Sequence, residues 1–139
     1  MHLRENGLLK LGKILLIDDD EWIRNALKYY FNKKTSLFNA FGNAESALDH
    51  IKEETYDVVI CDYKLPGMDG ITFFKKLQEF CPETITILIT AYGDDAIKSE
   101  ANQIGLNGFI EKPFSANIIE ESVDNLIKER ENRKSESIQ

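Results

Sequence analysis

The sequence predicts an α/β domain built on a parallel β-sheet with helices on both faces. Three observations carry this. Five short apolar runs alternate with longer segments of helical period. Several runs are continuous rather than alternating, as in strands covered on both faces. Strict strand–helix alternation leaves crossover connections as the way to join the strands.

The first run is Ile14-Leu15-Leu16-Ile17. Ile23, Ala26, Leu27, Tyr30 and Phe31 follow at i, i+3, i+4, i+7 and i+8, one face of a helix. The second run spans Leu37 to Phe41, and Ala44, Ala47, Leu48 and Ile51 repeat the helical period. Asn43 stands where an N-cap belongs. Val58-Val59-Ile60-Cys61 is the third run, followed by a helix marked by Phe73, Leu77 and Phe80. Ile85 to Ile89 is the fourth, followed by Ile97, Ala101 and Ile104, with Gly105 placed to stop that helix. Phe109-Ile110 is the fifth, and Ser115 caps a last helix through Ile119, Val123, Leu126 and Ile127. With 139 residues the chain is about one domain. Residues 1–12 read as a leader, 13–128 as the domain and 129–139 as a charged tail expected to fray.

Composition removes several classes of function. Seventeen Lys and Arg against 24 Asp and Glu give a net charge of −7, which disfavours direct binding to nucleic acid or to an anionic membrane. No apolar run approaches the roughly 20 residues of a membrane span. The first thirteen residues lack the apolar stretch of a secretory signal, so a cytoplasmic location is expected. Cys61 and Cys81 form no CxxC pair and indicate neither zinc nor a disulfide framework. His2 and His50 fit no catalytic pattern and are expected to face solvent.

Four of the five runs end in a residue able to do chemistry: Asp18-Asp19-Asp20, Asp62, Thr90 and Lys112. Ligands of open α/β sheets bind outside the carboxyl ends of the strands, so these side chains converge on one crevice. Singly, each has a bland reading. Acidic residues before a helix are caps or dipole partners, and a lone Asp before a turn is a turn residue. Jointly they are harder to dismiss. Two carboxylates about 4 Å apart repel by roughly 4 kcal/mol at an effective dielectric near 20, so Asp18, Asp19 and Asp62 need a cation to stay ionised together. All-oxygen ligation suits Mg²⁺ rather than zinc, with Mn²⁺ able to substitute. Carboxylates, a divalent metal, a lysine and a hydroxyl in one crevice describe phosphoryl transfer.

Asp18-Asp19, the segment Asp62-Tyr63-Lys64-Leu65-Pro66-Gly67-Met68-Asp69-Gly70, Thr90-Ala91 and Lys112-Pro113-Phe114 resemble the motif set of response-regulator receiver domains. The resemblance covers about residues 13–128. It implies a flavodoxin-like, doubly wound five-stranded parallel sheet of strand order 2-1-3-4-5 with five helices. It implies phosphoryl transfer from a histidine kinase or histidine phosphotransfer protein onto Asp62. Asp19 and Asp62 match the Mg²⁺ carboxylate ligands, Asp18 acts through water, and Lys64 gives a backbone carbonyl. Lys112 matches the lysine that pairs with phosphoryl oxygens, and Thr90 the switch hydroxyl. A cis Lys112–Pro113 bond is also implied. The family often has Tyr where this chain has Phe109; without a hydroxyl to tether it outward, inward packing of that ring should cost less. Unless Phe109 is a static hydrophobe, it is the aromatic switch. Lys64 and Tyr92, two residues beyond Asp62 and Thr90, match positions that tune dephosphorylation.

Two rivals stand beside this reading. Asp18-x-Asp20 and Ile89-Thr90 also resemble the haloacid-dehalogenase phosphatases, but Trp22 fills a place expected to be small, and an acidic pair after the lysine is missing. A receiver-like adaptor that no longer takes phosphoryl would not need the full acidic set. Beyond its own phosphorylation and autodephosphorylation, the chain is not expected to be an enzyme. No helix-turn-helix, ATPase or cyclase segment follows Ile127, so output is expected through a protein target or through an effector domain of a longer chain.

Overall fold

The computed structural model describes residues 4–5, 8–9 and 11–138, with side chains over 11–135. Its sheet strands are β1 (Lys13–Ile17), β2 (Leu37–Phe41), β3 (Val58–Asp62), β4 (Ile85–Thr90) and β5 (Gly108–Glu111). The helices between and after them are α1 (Glu21–Phe31), α2 (Ala44–Ile51), α3 (Gly70–Phe80), α4 (Asp95–Gln103) and α5 (Ala116–Ile138). The strands run parallel in the order β2-β1-β3-β4-β5. This is the 2-1-3-4-5 order, with β3 central and β1 paired to both β2 and β3.

Two separate cores explain the continuous apolar runs. Leu15, Ile17, Val59, Cys61 and Leu88 point to one face and pack on Ala47, Phe73, Phe74, Leu77 and Ala101 of α2, α3 and α4. Ile14, Leu16, Val58, Ile60, Ile87 and Ile89 point to the other and meet Leu27 and Phe31 of α1 and Ile119, Val123 and Ile127 of α5. Side chains alternate across a strand, so a strand covered twice needs apolar residues at every position.

Local signals set the helix ends. Asn43 accepts from the Ser46 N–H and Ser115 Oγ from the Ile118 N–H, as expected for caps. Gly105, at φ +79°, ends α4: its N–H donates to the Asn102 carbonyl while the Leu106 N–H reaches back to Ala101. That pairing is a Schellman closure, which needs a left-handed residue.

Three expectations are corrected. Leu11, assigned to the leader, is buried in the α1/α5 core, and Arg4–Glu5 pairs antiparallel with Leu8–Leu9. The tail expected to fray past residue 128 continues α5 to Ile138. Its Glu, Lys and Arg residues are good helix formers, Lys128 pairs with Asp124 at 2.9 Å, and Arg130 reaches the Glu83 carbonyl and Asp57. His50 is half-buried rather than solvent-facing, its Nε2 2.6 Å from the Tyr56 hydroxyl and its ring 4.9 Å from that of Phe41. Sequence spacing gives no sign of a partner on another element. His2 lies outside the described residues.

Candidate functional site

The carboxyl ends of β1, β3, β4 and β5 meet at one edge of the sheet. Asp62 closes β3 with its side chain only 3% exposed, and Lys112 Nζ lies 2.6 Å from its Oδ2. Its Oδ1 faces the Lys64 N–H at 3.3 Å. Carboxylate oxygens of Asp18, Asp19 and Asp62 all lie within 4.8 Å of one another.

The acidic triplet divides its work. Asp20 caps α1, accepting from the Trp22 and Ile23 N–H groups, which is the bland reading realised at that residue. Asp18 is fully buried, Asp19 is exposed, and both join Asp62 in the cluster. Burial raises the Asp18 carboxyl above the ordinary range; the Asp20 N–H on its Oδ1 opposes this, and the charges of Asp62 and Asp19 add to it. Lys112 loses by burial, but its hydrogen bond to Asp62 and the charges of Asp62, Asp18 and Asp19 leave its pKa raised.

Two buried oxygens here have no hydrogen-bond partner among the described residues: Asp18 Oδ2 and Thr90 Oγ1. A buried acceptor without a partner costs about 1–3 kcal/mol, and such sites call for an explanation. An orphaned carboxylate oxygen, two further carboxylates and a backbone loop make a hard, all-oxygen donor set of the kind that suits a divalent cation such as Mg²⁺. The residues fit that group.

A family model for the response regulator receiver domain matches residues 14–124. The chain belongs to that family.

Its relatives extend the finding. It is 35% identical over 111 residues to sporulation initiation phosphotransferase F of Bacillus subtilis (strain 168), covering 80% of this chain and 90% of that protein. Over 109 residues it is 34% identical to the C4-dicarboxylate transport transcriptional regulatory protein DctD of Rhizobium meliloti (strain 1021), covering 78% of this chain but 24% of that protein. Against the transcriptional regulatory protein SrrA of Staphylococcus aureus it spans 43% of the relative's length. Among solved structures, a response regulator receiver domain protein from Clostridium thermocellum superposes with a TM-score of 0.78 at 25% identity, covering 86% of this chain and 97% of that one. The BeF3-activated DrrB receiver domain gives 0.75 at 28% identity, covering 84% and 97%. The flavodoxin-like receiver fold and a place in two-component signalling follow, and receivers as a family bind Mg²⁺, work with histidine kinases and are not enzymes in the ordinary sense.

The remaining expected site residues of this receiver fall as follows. Lys112–Pro113 is cis. The Lys64 side chain is exposed, while Leu65 next to it is buried and anchors the loop after Asp62. A Cβ on Gly70 would sit 2.5 Å from the Asp62 carbonyl oxygen, so glycine lets α3 start against the end of β3. Phe109 is outward and 38% exposed, and Tyr92 stands on the loop between β4 and α4, 82% exposed. Among the described residues no helix is long and apolar enough to cross a membrane.

Sequence reasoning missed the braces. Arg24 Nη1 donates to the Asp18 carbonyl at 2.9 Å, fixing the turn that presents the acidic pair. Glu45 accepts from the Met68 N–H at 2.9 Å and steadies the loop after Asp62 from α2. Glu111 accepts from the Gly93 N–H at 2.8 Å, joining the β4–α4 loop to β5. An apolar cleft of about 720 Å³ runs beside Lys112 between Trp22, Ile23, Ala26, Pro113 and Phe114. Only a helix-face reading of Trp22 with Ala26 would have hinted at it.

Proposed function

We propose that this receiver takes a phosphoryl group onto Asp62 from the histidine of a histidine kinase or histidine phosphotransfer protein. The supporting observation is the buried Asp62 carboxylate, gripped by Lys112 and crowded by Asp18 and Asp19. Asp62, Asp19 and the Lys64 carbonyl would hold Mg²⁺, with Asp18 in support through water, and Mn²⁺ would substitute. When bound, the metal offsets the charge of the arriving phosphoryl. An Asp62 oxygen forms the bond to phosphorus as the bond from phosphorus to the donor imidazole nitrogen breaks. Lys112 carries its ammonium across from the carboxylate to the new phosphoryl oxygens. The apolar cleft at Trp22 lies beside this approach and suits the apolar face of a helical donor.

The dehalogenase-like reading asks Asp20 to work in the site, but its carboxylate is committed to capping α1. Incubation with acetyl phosphate and Mg²⁺, followed by intact-mass measurement, separates the three readings. A receiver gains one phosphoryl on Asp62 and retains it for a measurable time, a phosphatase turns substrate over, and an adaptor does neither.

Output follows from Thr90. Its buried hydroxyl is free to donate to a phosphoryl oxygen on Asp62, vacating space for Phe109 and altering the face made by α4, β5 and α5. A protein target or an attached effector domain reads that face, in the reducing cytoplasm that the free thiols of Cys61 and Cys81 suit. The signalling unit is residues 13–128, completed by Leu11 and by the turn of α5 that carries Arg130. Thr90→Ala is expected to keep phosphorylation within about threefold of wild type, a barrier change under ~1 kcal/mol, while partner capture no longer responds to beryllofluoride. Wild-type partner binding by that variant would disprove the coupling.

Tyr92 and Lys64 set the lifetime of the signal. The hydrolytic water must line up opposite the Asp62 oxygen, and an aromatic ring two residues past Thr90 can swing over that path. Tyr92→Ala is therefore expected to speed autodephosphorylation by about threefold, with Mg²⁺ affinity unchanged. Equal or slower decay of phosphoryl label would remove Tyr92 from this role.

A further inference from the structure

We propose that Lys98 and Glu111 are positioning residues of the switch, which hold the β4–α4 loop and the Phe109 ring in the resting arrangement until Asp62 is modified. This rests on the reading of Asp62, Thr90 and Phe109 given above and adds what opposes the switch.

One carboxylate oxygen carries the bracket. Glu111 Oε2 accepts from the Gly93 N–H at 2.8 Å and from Lys98 Nζ at 2.9 Å. Gly93 belongs to the loop that begins at Thr90, and Lys98 to the second turn of α4. Glu111 ends β5 and is followed directly by Lys112, the partner of Asp62. The Lys98 ammonium also stands 5.7 Å from the centroid of the outward Phe109 ring. Both charges respond to the contact: the hydrogen bond from Lys98 and then that from Gly93 lower the Glu111 carboxyl, and Glu111 raises Lys98.

The chemistry of phenylalanine makes this contact informative. A tyrosine can be tethered outward by its hydroxyl; Phe109 has only its ring face, whose negative quadrupole attracts a cation. Lys98 supplies that cation, and Glu111 fixes where it stands. At the other end of the loop Thr90 Oγ1 has no partner among the described residues, so its hydroxyl contributes nothing to the resting state. Drawing Thr90 toward a phosphoryl on Asp62 pulls on the chain between Ala91 and Gly93 and strains the Gly93–Glu111 bond. Resistance to switching therefore sits at Glu111 and Lys98, at the far end of the loop. The two side chains are 32% and 21% exposed, so the bracket is partly screened and biases the switch instead of locking it.

The test uses the full chain with and without beryllofluoride and Mg²⁺, reading the Phe109 side-chain rotamer by NMR and the exchange rate of the Gly93 amide. Lys98→Met keeps the apolar stem and removes the charge. In the unmodified chain it should raise the inward Phe109 population and the Gly93 exchange rate about two- to fivefold. Lys98→Arg keeps a cation over the ring and should stay at the wild-type values. Glu111→Gln keeps an acceptor for Gly93 but releases Lys98, and should raise the inward population less than Lys98→Met does. Wild-type rotamer and exchange values in Lys98→Met overturn the bracket, as does Lys98→Arg moving as far as Lys98→Met. A Phe109 rotamer that ignores beryllofluoride in the wild type is a different failure, because it overturns the Thr90–Phe109 reading itself.

Discussion

Asp62→Asn is expected to abolish phosphoryl incorporation from acetyl phosphate, a loss on the order of 10³-fold or more, equal to ~4 kcal/mol of barrier. An amide of the same shape offers no carboxylate oxygen to attack phosphorus. The fold should survive. Lys112 loses its 2.6 Å partner but keeps the charges of Asp18 and Asp19 nearby, and the substitution lowers the crowding of negative charge. Intact mass after incubation with Mg²⁺ and donor reads the first effect, and a urea melt reads the second. Full labelling of the Asn variant would mean that another residue is the acceptor.

The second large effect is expected at Asp19. It is exposed and belongs to neither core, so Asp19→Ala should leave stability within about 0.5 kcal/mol, as for ordinary surface substitutions. A direct ligand, the role proposed for Asp19, matters more than a supporting group, whose loss typically costs metal affinity about 10–100-fold, so Asp19→Ala should weaken Mg²⁺ binding by at least about 100-fold. Trp22 is the sole tryptophan and lies at the start of α1, close behind the acidic pair, so its fluorescence can follow the titration. Phosphorylation should fall with metal binding. Labelling that proceeds without metal would show that the acidic cluster has another purpose.

Much of this was legible in the residues because it is written locally. The runs at Ile14–Ile17, Val58–Cys61 and Ile85–Ile89 contain few polar residues since each strand serves two cores. The convergence of Asp18, Asp19, Asp62 and Lys112 was legible because residues at the carboxyl ends of parallel strands share one edge of the sheet. What stayed hidden is long-range or depends on which side chain a helix end recruits. Nothing in Asp18-Asp19-Asp20 says that the third member caps α1 while the first two face Asp62. The braces from Arg24, Glu45 and Glu111 join elements with no shared sequence pattern. The end of α5 misled because a charge-rich composition suits a frayed tail and a solvated helix equally; Arg130, reaching Asp57 and Glu83, helps to decide it. Which way the Phe109 ring faces is a packing outcome, set in part by a cation on another element.

The strand order has a consequence for how the molecule assembles. β1 leads the sheet in sequence yet lies inside it, second from one edge, and its pairing with β3, Ile14 beside Val58, joins parts of the chain separated by β2 and both flanking helices. Every other pairing of the five-stranded sheet also waits for a crossover helix, so none of its contacts forms as a local hairpin, and folding is slowed by the entropy of closing these loops. Once β1, β2 and β3 have met, Asp18, Asp19 and Asp62 already face one another, while Lys112 arrives only with β5. A half-built sheet thus carries the repulsion of its acidic cluster without the ammonium that offsets it. Completion by β5 is rewarded by that relief as well as by apolar burial, which opposes accumulation of the three-stranded intermediate and makes folding more nearly all-or-none.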